Sequence, residues 1–226
     1  MYPALAIDCS DHVCSVAISD GTKFWQIEEE GTRRQARLIL GLVENCLIKA
    51  DIEKEQLQSI CWAAGPGSFT GLRIATAVAQ GIAYALDLPL TPISSLEAMA
   101  AAASSTKPLE EGGTLLTITD ARMGEFYWAL FEYSSKKNAL SRLCEDSLSS
   151  LDQIDLPADL ALILGSGAEA VEANSPKINQ TPARASDLFA LAEKRITEGG
   201  QITAMQAEPV YLRSKSAWKT LEQQKS

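Results

Sequence analysis

The chain has 226 residues, of which 46% are hydrophobic, a length and composition that suit one large globular domain or two smaller lobes. Its formal net charge of −9 argues against a protein that grips nucleic acid by itself, because phosphate contacts require clustered Lys and Arg. His12 is the only histidine, which excludes a histidine pair for a metal ion and leaves no Ser-His-Asp or Cys-His site unless His12 serves in it.

The five cysteines are scattered along the chain and include no CxxC pair. A zinc site is therefore not expected, and we predict buried free thiols in a reducing cytoplasm. Met1 is not followed by the basic and apolar segments of a secretory signal, and no stretch is typical of a membrane-spanning helix. The sequence therefore predicts a cytoplasmic protein.

Short apolar runs and one clear turn signal organise the first half of the chain. Asp20-Gly21 lies between two strand-like runs and predicts a β-hairpin. From residue 32 the period changes, and apolar residues recur at helical spacing up to Ala50. The predicted strands cover residues 4–8, 13–18, 22–28, 58–64 and 90–93, and the predicted helices cover 32–50, 70–86 and 95–103.

The same order of elements begins again after a linker over residues 104–113. The predicted elements are strands over 114–119, 125–133, 139–145 and 160–164 and an amphipathic helix over 186–198. Three antiparallel strands followed by helix–strand units, occurring twice, are the layout of the ribonuclease-H-like, actin-like ATPase architecture. We therefore predict an α/β fold of two lobes, residues 1–103 and 104–226, each built as βββαβαβα.

The segment Gly65-Pro66-Gly67-Ser68-Phe69-Thr70-Gly71-Leu72-Arg73 allows two interpretations. A glycine-rich turn before a helix is typical of an anion site, but this one lacks the Lys-Ser/Thr ending of a P-loop. The helix that follows has no charged face, and small residues recur at every fourth position from Gly71 to Ala83. Such a helix must be covered on most sides. The residues leave open whether its own core or another protein chain covers it.

Two predicted strands end in a carboxylate, Asp8 and Asp120, where actin-like ATPases place carboxylates that face Mg²⁺ and the phosphates of a nucleotide. Gly165 and Gly167 follow another strand, where such folds hold adenosine. The turn after Asp8 has no glycine and adds the negative charge of Asp11, which would repel phosphate. These residues are therefore predicted to form a degenerate nucleotide site, with strand-end turn chemistry as the alternative role of the aspartates.

Three long segments carry a resemblance to a known family. They are the Gly65 to Arg73 segment, Asp120-Ala121-Arg122-Met123-Gly124-Glu125-Phe126-Tyr127-Trp128, and Ala207-Glu208-Pro209-Val210-Tyr211-Leu212-Arg213 followed by Ala217-Trp218-Lys219. With the first two strands, they resemble the TsaB (YeaZ) family over the whole chain. The resemblance implies a non-catalytic scaffold or activator. With the ATPase TsaE, it would support the homologous catalytic subunit TsaD in placing threonylcarbamoyl on N6 of adenosine 37 of ANN-decoding tRNAs.

The resemblance also implies an interface on the first two helices, used for TsaD or for a homodimer of the isolated chain. The residues expected there are Arg37, Leu38, Gly41, Leu42, Asn45, Leu72, Ala75, Thr76, Ala79 and Ala83. Contact with tRNA would be indirect, and no metal or cofactor is expected on the chain alone. ATP or ADP with Mg²⁺ is expected only at the interface of the assembled complex. The alternative function is a weak actin-like ATPase or sugar kinase that uses Asp8 and Asp120 with Mg²⁺.

Overall fold

Two mixed β-sheets and the helices packed on them form the protein. The structure is a computed structural model, and it describes residues 1–30, 35–106, 109–134, 139–179 and 183–213. The predicted beginning of the first helix at residue 32 and the segment Ala217-Trp218-Lys219 lie outside the described residues. None of the helices within these ranges is long and apolar enough to cross a membrane.

The first sheet has five strands in the order β3-β2-β1-β4-β5. They are β1 (Ala4–Asp8), β2 (Val13–Ser19), β3 (Phe24–Glu30), β4 (Ser59–Gly65) and β5 (Leu90–Ser94). β1 runs antiparallel to β2 and parallel to β4, and β2 and β3 form the hairpin that Asp20-Gly21 predicts. β1 and β4 are buried along their whole length, which explains their continuous apolar sequences.

Three helices cover the two faces of this sheet. They are α1 (Gln35–Ala50), α2 (Phe69–Leu86) and α3 (Ser95–Thr106). α1 and α2 contact each other on one face, where Ile39, Trp62 and Ala79 belong to one apolar core. α3 packs into a second core, which contains Leu96 and Met99.

The second sheet repeats the strand order of the first. Its strands are β6 (Thr114–Asp120), β7 (Glu125–Ser134), β8 (Ala139–Arg142), β9 (Ser147–Ser150), β10 (Leu160–Leu164) and β11 (Lys177–Ile178). The order β8-β7-β6-β10-β11 matches β3-β2-β1-β4-β5 position by position, and β9 pairs with β7. The duplicated, two-lobed ribonuclease-H-like fold is therefore confirmed.

The helices of the second half differ from the prediction. Its described residues contain one α-helix, α4 (Leu188–Thr197), and the crossovers on either side of β10 contain 3₁₀ turns instead. The predicted strand over 139–145 ends at Arg142, and β9 follows it. The second lobe thus keeps the sheet of the first but not its full set of helices.

α3 and α4 fill the space between the two sheets. Their core joins Ile93 of the first sheet to Phe131 of the second. Glu97 of α3 is buried, and its Oε2 forms salt bridges with Nη2 of Arg142 and Nη2 of Arg195 at 3.2 Å each. These salt bridges connect α3 to β8 and α4. α4 comes from the second half of the sequence but packs on β4 and β5. The lobe limits 1–103 and 104–226 stay a prediction.

The prediction of five free thiols is wrong for two cysteines. Cys9 and Cys14 form a disulfide, with their Cα atoms 4.3 Å apart. The β1–β2 hairpin pairs Asp8 with Ser15, and this register places the next two residues, Cys9 and Cys14, opposite each other. Cys46 is a buried free thiol as predicted, and burial raises its pKa to about 11.

Candidate functional site

The glycine-rich turn between β4 and α2 packs against the backbone of the β1–β2 loop. A Cβ on Gly67 would lie 2.4 Å from the carbonyl oxygen of Ser10, and one on Gly71 would lie 1.8 Å from that of Cys9. The Ser68 N–H donates to the Ser10 oxygen at 2.8 Å, and Ser68 Oγ caps the helix by accepting the Gly71 N–H. Close packing of two chain segments therefore explains these glycines, and a protein carbonyl takes a backbone N–H that a phosphate loop would offer to an anion.

One face of α2 is buried against its own sheet. Its members are Gly71, Leu72, Ala75, Thr76, Ala79 and Ala83. Thr76 Oγ1 accepts a hydrogen bond from Trp62 Nε1 at 3.0 Å within this core, and Leu42 of α1 is buried there as well. Six of the residues expected at an interface, namely Leu42, Leu72, Ala75, Thr76, Ala79 and Ala83, therefore pack inside the chain. The small residues let α2 approach its own sheet closely.

The exposed stripes of α1 and α2 form a surface that we call the outer face. Its members are Leu40, Gly41, Ile48, Ala77, Gly81, Tyr84 and Ala85. Ile48 and Tyr84 are 71% and 72% exposed, although both are large and mainly apolar. A Cβ on Gly41 or Gly81 would meet no atom within 4 Å. Exposed apolar surface of this kind is typical of a binding site for another protein. The remaining expected residues lie on or beside it: Arg37, Gly41 and Asn45 are exposed, and Leu38 is half-buried.

A cleft of about 1100 Å³ lies between the lobes, at the carboxyl ends of β1, β4, β5, β6 and β10. Ligands of α/β proteins commonly bind at this edge of a sheet. All three segments that carry the resemblance reach the cleft. Phe69 and Arg73 come from the first segment, Arg122 from the second, and Tyr211 and Arg213 from the third.

Residues 207–213, which we call the strap, cross from the first lobe to the second. The Val210 N–H donates to the carbonyl of Ala64 at 2.8 Å. At its far end, Arg213 Nη2 lies 2.7 Å from the Glu125 carboxylate and donates to carbonyl oxygens of the β6–β7 turn. The strap therefore links both lobes at the mouth of the cleft.

The predicted nucleotide residues are only partly brought together. The Asp8 side chain does not line the cleft: it is 5% exposed and accepts the Ser10 N–H at 2.8 Å, and its burial raises its pKa. Asp120 does line the cleft, and its N–H donates to Ser166 Oγ at 3.0 Å. A Cβ on Gly165 or Gly167 would lie 2.3 or 2.7 Å from atoms of β6 or β7. These two glycines are therefore required for packing.

The acidic groups that line the cleft already have protein partners. Asp120 accepts the Arg122 N–H at 2.7 Å and lies 3.5 Å from its guanidinium. His12 Nδ1 lies 3.1 Å from Asp11 in the turn after β1. Within the described ranges, no three His, Cys, Asp or Glu side chains are grouped so that they could hold a metal ion.

The sequence did not identify Arg73, Ser95, Tyr211 and Arg213 as neighbours in one cleft. Arg73, Tyr211 and Arg213 lie in the segments that carry the resemblance, so their type and order were visible. Their convergence depends on the path of the strap, which no periodic pattern encodes.

Comparison with known proteins gives a consistent set of relatives. A family model described as TsaD, tRNA N6-adenosine threonylcarbamoyltransferase, matches residues 28–217. The chain is 30% identical to the tRNA threonylcarbamoyladenosine biosynthesis protein TsaB of Haemophilus influenzae, with 96% of each chain covered. It is 31% identical to the Escherichia coli protein of the same name, covering 96% of this chain and 97% of that one. The solved structure of YeaZ from Pseudomonas aeruginosa matches with a TM-score of 0.82 at 29% identity, over 92% of this chain and 99% of that one.

Proposed function

This chain belongs to the TsaB (YeaZ) family, and from that membership we propose that it acts in the biosynthesis of N6-threonylcarbamoyladenosine in tRNA. Its role is that of a non-catalytic scaffold or activator. It supports the catalytic subunit TsaD, together with the ATPase TsaE, in the cytoplasm, and the products are ANN-decoding tRNAs modified at adenosine 37. Contact with tRNA is indirect, which agrees with the net charge of −9.

The outer face is the observation that supports a scaffold role. α2 buries one stripe in its own core and leaves Ala77, Gly81 and Ala85 exposed with Tyr84, and α1 exposes the large side chain of Ile48. Small residues flanked by larger ones allow a helix of another chain to approach closely and to interdigitate. We place the contact with TsaD on this face. In the isolated chain a second copy takes the same place, so self-association and partner binding compete.

The positions of the two carboxylates predicted for a nucleotide site support the proposal that the chain is not itself an ATPase. Asp8 is buried away from the cleft, and Asp120 accepts the Arg122 N–H and lies 3.5 Å from its guanidinium, so the two carboxylates do not face one Mg²⁺ position together, as a phosphoryl-transfer site requires. We therefore assign no cofactor to the isolated chain. ATP or ADP with Mg²⁺ belongs to the interface of the assembled complex.

Reconstitution of the tRNA modification tests this function. TsaD, TsaE, ATP, threonine, bicarbonate, an enzyme that supplies threonylcarbamoyl-adenylate and an ANN-decoding tRNA are combined with and without this chain. We expect modified adenosine only when the chain is present, and neither product nor ATP hydrolysis from the chain alone. Full product in its absence would refute the scaffold role. Magnesium-dependent ATP turnover by the isolated chain would favour the ATPase alternative.

A further inference from the structure

Of the arginines that line the cleft, only Arg73 lacks a carboxylate partner within the described residues. Arg122 lies 3.5 Å from Asp120, and Arg213 lies 2.7 Å from Glu125. Asp11 lies 3.1 Å from Nδ1 of His12, a contact that is ionic only when the imidazole is protonated. Arg73 forms no salt bridge within the described part of the chain. Because an arginine stays protonated in a protein, Arg73 offers the cleft a cation that no carboxylate of the described chain occupies.

The Arg73 guanidinium is held in a fixed orientation. Its carbon lies 3.7 Å from the centroid of the Phe69 ring and 5.6 Å from that of the Tyr211 ring. Its Nε donates to the Tyr211 hydroxyl at 2.7 Å. The aromatic rings lie against the planar guanidinium and the hydrogen bond uses its Nε, so the two terminal nitrogens have no hydrogen-bond partner within the described residues. A preorganised guanidinium fork is the preferred protein partner of a carboxylate or phosphate.

A hydroxyl group in the same wall lacks a hydrogen bond. Ser95 is the first residue of α3 and is 6% exposed, and its Oγ is buried with no hydrogen-bond partner within the described residues. Ser94, not Ser95, provides the capping oxygen, which accepts the Glu97 N–H at 3.2 Å. Burying a polar group without a partner costs stability. Ser95 lies in the cleft wall at the positive end of a helix, so a change of its side-chain rotamer would bring the buried hydroxyl to an anionic oxygen in the cleft.

We propose that the cleft binds a small organic anion, with one carboxylate or phosphate group on a largely apolar body. Arg73 pairs with the anionic group, and the Ser95 hydroxyl donates to an oxygen of the ligand. Phe69, Val210 and Tyr211 supply the exposed part of the apolar wall, and Leu72, Leu96 and Met99 are buried behind it. The cleft volume of about 1100 Å³ leaves room for a ligand of this size. The site uses neither Asp8 nor Asp120 and needs no Mg²⁺, so it goes beyond the scaffold role and does not depend on it.

Benzoate and phenyl phosphate are suitable probes, with benzyl alcohol as the neutral control. Each is titrated into the full chain, and binding is followed by ligand-observed NMR in buffer without Mg²⁺. We expect saturable binding of at least one anion, and the stronger of the two identifies the head group as carboxylate or phosphate. Benzyl alcohol should bind at least about tenfold more weakly, since it lacks a charge-assisted hydrogen bond. Equal binding of all three probes, or binding of none, would overturn the proposal.

Arg73→Gln tests the cation, and Lys194→Gln is its control on the exposed surface of α4. We expect Arg73→Gln to weaken binding of the anion about tenfold or more, and to leave the weak binding of benzyl alcohol unchanged. Lys194→Gln should bind both probes as the wild type does. If the two variants bind the anions equally well, Arg73 is not the partner of the anionic group and the proposal fails.

Ser95→Ala distinguishes a binding hydroxyl from a structural one. Thr91 Oγ1 of β5 is also buried without a partner but does not line the cleft, so Thr91→Val is the matched control. Both substitutions remove an unsatisfied hydroxyl and should keep or raise the midpoint of urea unfolding. Only Ser95→Ala should also weaken anion binding, by about threefold to tenfold. If Ser95→Ala binds the anion as the wild type does, the Ser95 hydroxyl is not part of the binding site. A loss shared equally with Thr91→Val would show that the effect is structural.

Discussion

Gly71 and Gly81 both belong to α2, but Gly71 is packed against another chain segment and Gly81 faces open space. A Cβ on Gly71 would lie 1.8 Å from the carbonyl oxygen of Cys9, closer than any van der Waals contact permits. A Cβ on Gly81 would meet no atom within 4 Å. Composition alone treats both as helix-weakening residues. The structure shows that the first is needed for packing and that the second is not.

Alanine substitution at these two positions should therefore change stability in opposite directions. Gly71→Ala forces the β1–β2 loop away from α2 and should lower the free energy of unfolding by about 2–3 kcal/mol. Gly81→Ala reduces the conformational entropy of the unfolded chain and should raise it by about 0.5–1 kcal/mol. Urea unfolding followed by circular dichroism measures both. Equal effects of the two substitutions would contradict the close approach of Cys9 and α2.

Asp8 is a second residue whose surroundings decide its behaviour. Its carboxyl group is buried at the end of β1, and the loss of hydration raises its pKa. The Ser10 N–H, which donates to it at 2.8 Å, opposes this shift but does not cancel it. The folded state therefore binds a proton more tightly at Asp8 than the unfolded state does. Stability contributed by this group is fully present below the unfolded pKa and is lost as the pH rises through the folded pKa.

Asp8→Asn should reveal this dependence on pH. Asparagine keeps an oxygen for the Ser10 N–H and has almost the shape of the protonated carboxyl group, so both proteins should unfold at similar urea concentrations in acid. As the pH rises to neutral, the variant should become the more stable protein, because it avoids a buried charge. Urea midpoints measured from pH 4 to pH 8 test the difference. A variant less stable at neutral pH would show that the ionised Asp8 stabilises the fold.

At the scale of elements, α2 shows what a pattern can and cannot predict. The sequence indicated a helix that is covered on most sides, because it carries almost no charge, but this chain buries one stripe of it and leaves the outer face exposed. The sequence could not assign the sides, because small residues occur on both the buried stripe and the outer face. Ala75 and Ala79 are fully buried, whereas Ala77 and Ala85 are exposed. Only the position of the sheet beneath α2 separates the two stripes.

Glutamate substitutions along α2 and α4 separate folding from association. Ala79→Glu buries a carboxylate without a partner and should cost ~3–5 kcal/mol of stability. Ala77→Glu places the charge on the outer face, so it should change stability by less than about 0.5 kcal/mol but prevent binding to TsaD and to a second copy. Sedimentation velocity of the chain alone and with TsaD measures association. Ala190→Glu, on the exposed side of α4, is the control and should leave both unchanged. If Ala77→Glu still binds TsaD and a second copy normally, the interface does not lie on the outer face.

At the scale of the whole molecule, local signals predicted most of the fold. The Asp20-Gly21 turn and the continuous apolar runs of β1 and β4 identify strands directly, because their periodicity depends only on burial. The order of the second sheet follows from its likeness to the first. The missing helices around β10 could not be predicted, because 3₁₀ turns carry no amphipathic period.

The disulfide depends on the register of a hairpin, and the cleft depends on contacts between segments that are distant in the sequence. Cys9 and Cys14 meet through the register of a hairpin, which the spacing of the two cysteines does not state. Asp120 and the Gly165–Gly167 turn were predicted as neighbours, and Ser166 joins them. Arg73 and Tyr211 were visible in the sequence but had no reason to be paired until the strap was traced. The register of the β1–β2 hairpin and the path of the strap are thus the parts that residue patterns did not contain.

At the end of the strap, Arg213 makes one of the contacts that link the two lobes. This side chain is 13% exposed, and it joins Glu125 and the β6–β7 turn to a segment anchored on β4. Arg213→Gln removes the charge-assisted bonds and should lower the free energy of unfolding by about 1–3 kcal/mol. Amide hydrogen exchange should accelerate in the strap and the β6–β7 turn, while α1 keeps its protection. Arg122→Gln, at a side chain 87% exposed, is the control and should change stability by less than about 0.5 kcal/mol. If both variants exchange alike, the contact of Arg213 with the second lobe does not hold the lobes together.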